Sequence, residues 1–212
     1  HTHVLDLGAN AACTAEHLLQ FAVMGSVISN AVDGIENPRV ALLNIGEEEI
    51  KGVEVIKRAA TLLQAAPLNY VGFVEGDGIF FNQADVIVCD GFVGNVSLKT
   101  AEGVAKLIKQ LMKDAFGQSW WAKLCGAAAW PVLRTLGPKI DPRHYNGASF
   151  LGLRGVVIKS HGFGTNPFCI RHQFGYPDIG VVKISGFQIC AKIAKIRQRS
   201  AMGVVYSTNH IS

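Results

Sequence analysis

Residues 86–99, reading VIVCDGFVGNVSLK, limit the possible folds of this chain more than any other stretch. The apolar run Val86-Ile87-Val88 reads as a strand buried on both faces of a parallel sheet. It stops at Asp90-Gly91, and Gly91-Phe92-Val93-Gly94-Asn95 turns into an amphipathic helix placed from near Asn95 onward. A strand, glycine turn and helix in succession set backbone N–H groups at a helix N-terminus, where an anion is favoured. In open α/β sheets ligands gather at the carboxyl ends of the strands. The chemistry this turn supports is that of phosphate or carboxylate.

The same alternation runs through much of the chain. Val4-Leu5-Asp6-Leu7-Gly8 reads as the end of a strand, and Thr14 caps a helix carrying Leu18, Leu19, Phe21, Ala22 and Met24. Strands are expected at 40–45, 70–74, 86–89 and 156–158. A helix is expected to start near Glu47-Glu48-Glu49 and to run through Val53, Ile56 and Leu63, its acidic first turn matching the helix dipole. Strands alternating with helices at this spacing predict an α/β fold, a three-layer α/β/α sandwich with a mostly parallel sheet and helices on both faces.

Composition excludes several classes. In 212 residues, 49% hydrophobic with 23 glycines, a sizeable core can form and a disordered chain is excluded. The net charge of +4 is mild, and without a basic tail or zinc-finger spacing nucleic acid is not an expected partner. The cysteines Cys13, Cys89, Cys125, Cys169 and Cys190 form no C-x-x-C pair, so reduced thiols of a cytoplasmic protein are expected. Their spacing with histidine fits no metal site. Cys89 beside the glycine turn looks nucleophilic, but a buried strand-end thiol is the better reading. No signal peptide is recognisable, and no run of about 20 apolar residues spans a membrane. Gly162-Phe163-Gly164 starts like a dinucleotide fingerprint, but Pro167 stands where its third glycine belongs.

Several blocks together carry a family resemblance. They are Leu5-Asp6-Leu7-Gly8-Ala9-Asn10, Gln20-Phe21-Ala22-Val23-Met24-Gly25, Leu42-Leu43-Asn44-Ile45-Gly46-Glu47-Glu48, Cys89-Asp90-Gly91-Phe92-Val93-Gly94-Asn95-Val96, Tyr145-Asn146-Gly147-Ala148 and Val157-Ile158-Lys159-Ser160-His161-Gly162. In this order and spacing the chain resembles the bacterial phosphate acyltransferase family of phospholipid synthesis (PlsX-type), with a fold like that of isocitrate and isopropylmalate dehydrogenases and phosphotransacetylases. The resemblance implies that acyl–acyl carrier protein and inorganic phosphate give acyl phosphate and free carrier protein. Phosphate is then the nucleophile, and no cofactor or metal is needed.

Within that expectation, Asn95 and the N–H groups of Gly94 and Asn95 contact phosphate or the oxyanion, with a plain helix cap as the competing role for Asn95. Lys51 is the candidate cation. Lys159 and His161, at the end of an apolar strand, are further catalytic candidates, His161 alternatively bracing its loop. Asp6, Asn10, Asn44, Gly46, Asp90, Gly91, Gly94, Asn146 and Gly147 are expected to shape the substrate crevice, with Asp90 bracing the following turn.

Lys106, Lys109 and Lys113 line one face of the helix after Asn95, opposite Val104, Leu107, Ile108 and Leu111. This is either a solvated face or, as the resemblance suggests, a docking face for the acidic carrier protein. Residues 116–140 form an expected Trp-rich helical hairpin. Trp120, Trp121, Leu124 and Trp130 beside Lys123 and Arg134 suit contact with a membrane surface, and equally a homodimer interface. The resemblance implies both, for a cytoplasmic protein held peripherally at the inner membrane.

We divide the chain into an α/β catalytic portion, 1–162, and a divergent tail, 163–212, where the resemblance stops and 181–199 only partly regains helical periodicity. A frameshift or true divergence would account for the tail. The start without Met, already at a strand end, leads us to expect a missing N-terminal portion. A phosphotransacetylase-like enzyme, or an inactive fragment that dimerises and binds membranes, are the alternative functions.

Overall fold

A computed structural model of the protein describes residues 2–48, 51–140, 148–152, 156–160, 180–184, 187–192 and 203–208. Strands β1 (Thr2–Leu5), β2 (Arg39–Leu43), β3 (Asn69–Val74) and β4 (Val86–Val88) alternate with helices α1 (Ala15–Asp33) and α2 (Glu54–Ala65). Then come α3 (Gly91–Gly117) and α4 (Trp120–Ile140), followed by β5 (Ala148–Leu151), β6 (Val156–Ser160), β7 (Gly180–Ile184), β8 (Phe187–Lys192) and β9 (Gly203–Thr208). Among the described residues, these nine strands join one sheet in the order β3-β2-β4-β1-β9-β5-β6-β8-β7. The expected α/β class holds, with β3, β2, β4 and β1 mutually parallel. The other half is antiparallel, and strands β7 and β8 fall in the tail, whose helical periodicity over 181–199 is only partial.

Strands β1, β2 and β4 are buried on both faces, whereas β3, at the end of the strand order, is only half-buried and leaves Val71 exposed. Leu5, Val40, Leu42, Val86 and Val88 meet Leu18, Phe21 and Ala22 of α1 and Ile56, Ala59 and Leu63 of α2. The alternate residues Val4, Ala41, Leu43 and Ile87 pack on the opposite face with Val74, Ile79 and Ala84. Among the described residues, α1 and α2 therefore cover one face, and a one-turn helix at Gly78–Phe80 contributes Ile79 to the other. Helix α1 lies so close to the sheet that a Cβ on Gly25 would fall 2.4 Å from Val86 Cγ1. Its start is the expected one: Thr14 Oγ1 accepts from the His17 N–H and closes a capping box.

Two helix starts differ from expectation. Helix α2 begins at Glu54, not near Glu47–49. The Asn44 amide donates to the carbonyls of Gly46 and Lys51, Glu47 and Glu48 are non-helical, and Gly52 adopts a φ of +94° that ends any helical path. Helix α3 begins at Gly91, one turn before Asn95, because Asp90 caps it by accepting from the Val93 N–H at 2.8 Å.

At the opposite edge of the sheet, Asp85 clamps the start of β2. Its Oδ2 accepts from the Arg39 backbone N–H at 2.8 Å and from Arg39 Nε, and its Oδ1 from Nη2. Burial pushes the Asp85 carboxyl up, but the Arg39 hydrogen bonds outweigh it and hold the group below the usual carboxylate range. A folded pKa below the unfolded one adds stability that is present above the unfolded value, about 3.9, and is lost as pH falls through the folded value. Comparing urea midpoints at pH 6 and pH 3, Asp85→Asn should therefore lose less stability on acidification than the unchanged protein.

Candidate active site at the carboxyl ends of the parallel strands

The residues following β1, β2 and β4 meet at one edge of the sheet, since these strands are neighbours and run the same way. After β1, Asp6 is fully buried. Its Oδ1 accepts from the N–H groups of Gly8 and Ala9, both at 3.0 Å, and its Oδ2 accepts from the Asn10 N–H and Nδ2, both at 2.8 Å. An Asp that gathers the next amides in this way is the scaffold of a tight turn. Asp6 and Asn10 thus build the turn rather than presenting free acceptors to a ligand.

The β4 turn is locked to the β1 turn. The Gly91 N–H donates to the Asn10 carbonyl at 2.9 Å, and the Cys89 thiol donates to the Asp6 carbonyl at 3.3 Å. Both helix-start glycines are needed for this approach. A Cβ on Gly91 would lie 2.5 Å from the Asn10 carbonyl oxygen, and one on Gly94 only 1.9 Å from that of Asp6. Asn95 is exposed on the second turn of α3 and lies against Gly8, whose Cβ position is 3.5 Å from the Asn95 side chain. One expected contact changes as a result. The Gly94 N–H donates to the Asp90 carbonyl inside α3 and cannot serve as an anion donor, which leaves the side-chain amide of Asn95 as its polar group at this edge.

Cys89 is buried, and burial together with the Asp90 and Asp6 charges pushes its thiol far up. It is no nucleophile. Lys51, after β2, folds over Gly46 and pairs with Glu48 at 2.9 Å. Glu48 holds its ammonium above the usual lysine range, so Lys51 stays charged. Asn44 and Gly46 shape this loop as described above, with Gly46 buried beneath the Lys51 stem.

A cavity of about 210 Å3 opens where the β1 turn, the start of α2 and the start of α3 meet. Sequence reasoning passed over two residues of its wall, Val53 and Phe92. Their signal was available: each is a large apolar residue beside a glycine at a turn-to-helix junction.

The remaining candidates lie elsewhere. Strand β6 runs antiparallel to β5, which runs parallel to β1, so the chain leaves Lys159 and Ser160 toward the opposite edge of the sheet. Lys159 is not brought to the crevice that sequence reasoning placed it in. Asn146, Gly147 and His161 lie outside the described residues. Lys106, Lys109 and Lys113 are exposed on α3, and so are Val104, Leu107, Ile108 and Leu111. The chain reverses at Gln118-Ser119, so the hairpin is formed by α3 and α4, and Phe116 packs against Gly126. Trp120 and Trp121 stack with ring centroids 3.8 Å apart, yet both remain exposed, as do Leu124 and Trp130. Among the described residues no helix is long and apolar enough to cross a membrane, and no cluster of His, Cys, Asp or Glu is arranged to hold a metal.

Comparison with known proteins agrees with the sequence blocks. The family model described as fatty acid synthesis protein matches residues 1–167. The phosphate acyltransferase of Alcanivorax borkumensis is 66% identical over 163 residues, 76% of this chain and 48% of that protein. That of Alkalilimnicola ehrlichii is 64% identical over 162 residues, covering 76% and 47%. That of Coxiella burnetii is 59% identical over 160 residues, covering 75% and 47%. The chain spans about half the length of the curated relatives it matches. With interlocked glycine turns at the strand ends and a family match over residues 1–167, the chain belongs to the fatty acid synthesis protein family, the PlsX-type family of its sequence blocks.

Proposed function

We propose that this chain carries the phosphate-handling part of an acyl–acyl carrier protein:phosphate acyltransferase. The observation that carries the reading is its 59–66% identity, over three quarters of its length, to proteins named phosphate acyltransferase. The braced crevice supports it. A phosphate oxygen attacks the thioester carbonyl carbon, and the carbonyl oxygen takes up the charge of a tetrahedral intermediate. The C–S bond then breaks, and the thiolate departs with the electron pair and picks up a proton. A thiol of pKa about 8.5 leaves without a strong acid, so the protein has only to hold two anionic partners together and stabilise the oxyanion. Lys51 supplies positive charge beside the β2 loop, and the Asn95 amide supplies a donor beside the β1 turn. The rigid turns of Asp6, Asn44 and Asp90 keep the helix starts in place. No metal or cofactor is required by this sequence of steps.

On the same reading the acidic carrier protein docks on Lys106, Lys109 and Lys113, and the exposed tryptophans of α4 meet the inner membrane surface and a second copy of the chain. The protein is then a cytoplasmic, peripherally bound homodimer. Phosphate-dependent release of carrier thiol from long-chain acyl–carrier protein tests the reading. Lys51→Ala and Asn95→Ala should each lower the rate by about tenfold or more, in line with the loss of one transition-state contact. Equal background rates for both variants and the unchanged chain would contradict it. Thermal protection by coenzyme A, with no phosphate dependence, would point to a phosphotransacetylase-like enzyme.

A further inference from the structure

We propose that the cavity between the starts of α2 and α3 seats an alkyl segment of the substrate, next to the reacting carbonyl. The inference rests on the acyl-transfer reading and adds where the apolar part of the substrate goes. The wall consists of Ala12, Leu18, Val53, Ile56 and Phe92 with their neighbours. Among the described residues only Cys13 and Asp90 bring polar side chains to it, and each has a partner within the protein. Asp90 Oδ1 is spent on the Val93 N–H, and the Cys13 thiol reaches toward the Asn10 carbonyl at 3.8 Å.

The electrostatics do not favour an anionic occupant. Among the described residues no cationic side chain lines the cavity. Burial, and then the Asp6 and Asp90 charges, push the Cys13 thiol up to about 11, so it stays neutral. A neutral, apolar group is what remains. At about 210 Å3 the space exceeds the ~150 Å3 of an apolar cavity that holds benzene, so a run of several methylenes fits.

Exposure favours a ligand over completed packing within the described fold. Leu18 and Ile56 form a buried floor, whereas Val53 and Phe92 each remain 67% exposed at the rim. The location also suits the chemistry, because Asp90 joins the cavity to the α3 start and Val53 joins it to the α2 start, just after Lys51. An acyl chain lying here would place its thioester carbonyl at the rim, within reach of the crevice.

Cys13 makes the cavity measurable without turnover. Its alkylation by N-ethylmaleimide at pH 8.5 is followed by peptide mass spectrometry, with exposed Cys125 on α4 as internal reference. Straight-chain alcohols serve as probes, since they carry the alkyl segment and no anion. At ten times its dissociation constant, 1-decanol should slow Cys13 labelling about tenfold and leave Cys125 unchanged. From 1-hexanol upward the affinity should rise about fourfold per methylene until the cavity is full, then level off. Ala12→Trp, at an exposed wall position, should abolish the protection with an unchanged melting temperature.

Several results would overturn the proposal. They are no protection by any alcohol, equal protection of Cys13 and Cys125, protection that survives Ala12→Trp, or Cys13 labelling that varies with protein concentration and ignores alcohol. The last would mean a second copy of the chain covers the cavity. Because labelling needs no reaction, a chain that protects Cys13 yet releases no thiol separates failure of the acyl-transfer reading from failure of this one.

Discussion

Gly94→Ala should lower the melting temperature by roughly 6–12 °C, while Gly103→Ala on the same helix leaves it unchanged or raises it slightly. The difference lies in what an added methyl would meet. At Gly94 it would lie 1.9 Å from the Asp6 carbonyl oxygen and 2.9 Å from Cys89 Sγ, whereas nothing stands within 4 Å at Gly103. Backbone cannot be relieved by a rotamer change, so either α3 or the β1 turn must move. Overpacking of this kind costs about 1–3 kcal/mol, more against backbone, and each kcal/mol moves the midpoint of a domain this size by about 2–4 °C. At exposed Gly103 the alanine gains up to about 1 kcal/mol of helix propensity. Since a displaced α3 carries Asn95 away from the β1 turn, Gly94→Ala should also abolish thiol release. Calorimetry on both variants decides the matter: equal midpoints would mean that the α3 start does not touch the β1 turn as described.

Asp6→Ala should cost on the order of 3 kcal/mol or more, and Asp6→Asn should not rescue it. The carboxylate accepts from the amides of Gly8, Ala9 and Asn10 and from the Asn10 side chain, in a place water does not reach. Hydrogen bonds to a charged group are each worth about 1.5–3 kcal/mol, and a buried donor left alone is costly in its own right. An asparagine keeps the shape but turns an NH2 group toward donors. The urea midpoint should fall with the m-value unchanged, and exchange of the 8–10 amides should speed up. An Asp6→Asn protein within 0.5 kcal/mol of the original, a limit typical of a bland surface change, would show the turn to be held by something else.

Strands β2 and β4 were legible because each is an apolar run that a sheet covered on both faces buries, and the half-buried β3 because Tyr70, Val71, Phe73 and Val74 are strand-forming residues. Arg39–Leu43, Asn69–Val74 and Val86–Val88 differ from the expected ranges by a residue or two. The helix starts misled for an identifiable reason. Glu47 and Glu48 look like an acidic first turn, but the Asn44 amide and the positive φ of Gly52 impose a loop that no periodicity reveals. Gly91 and Gly94 argue against helix by propensity, yet they are helical because only glycine lets α3 approach the backbone of Asn10 and Asp6.

The site was half legible for a related reason. Residue type marks Asp6, Asn44 and Asp90 as polar groups at strand ends, but does not tell a ligand contact from a brace; the hydrogen bonds do. Lys159 looked equivalent because it too ends an apolar strand. Its strand runs the other way, and direction comes from pairing partners in β5 and β8 that composition does not disclose.

The central claim is acyl transfer to phosphate, and following the phosphate itself tests it most directly. The chain is incubated with long-chain acyl–carrier protein and 32P-phosphate, and the products are separated before and after hydroxylamine. The account predicts label in a lipophilic, hydroxylamine-sensitive acyl phosphate, formed in step with carrier thiol and sharply reduced in Lys51→Ala and Asn95→Ala. Thiol release with the label remaining wholly as inorganic phosphate would contradict it, as would the absence of labelled product at any phosphate concentration.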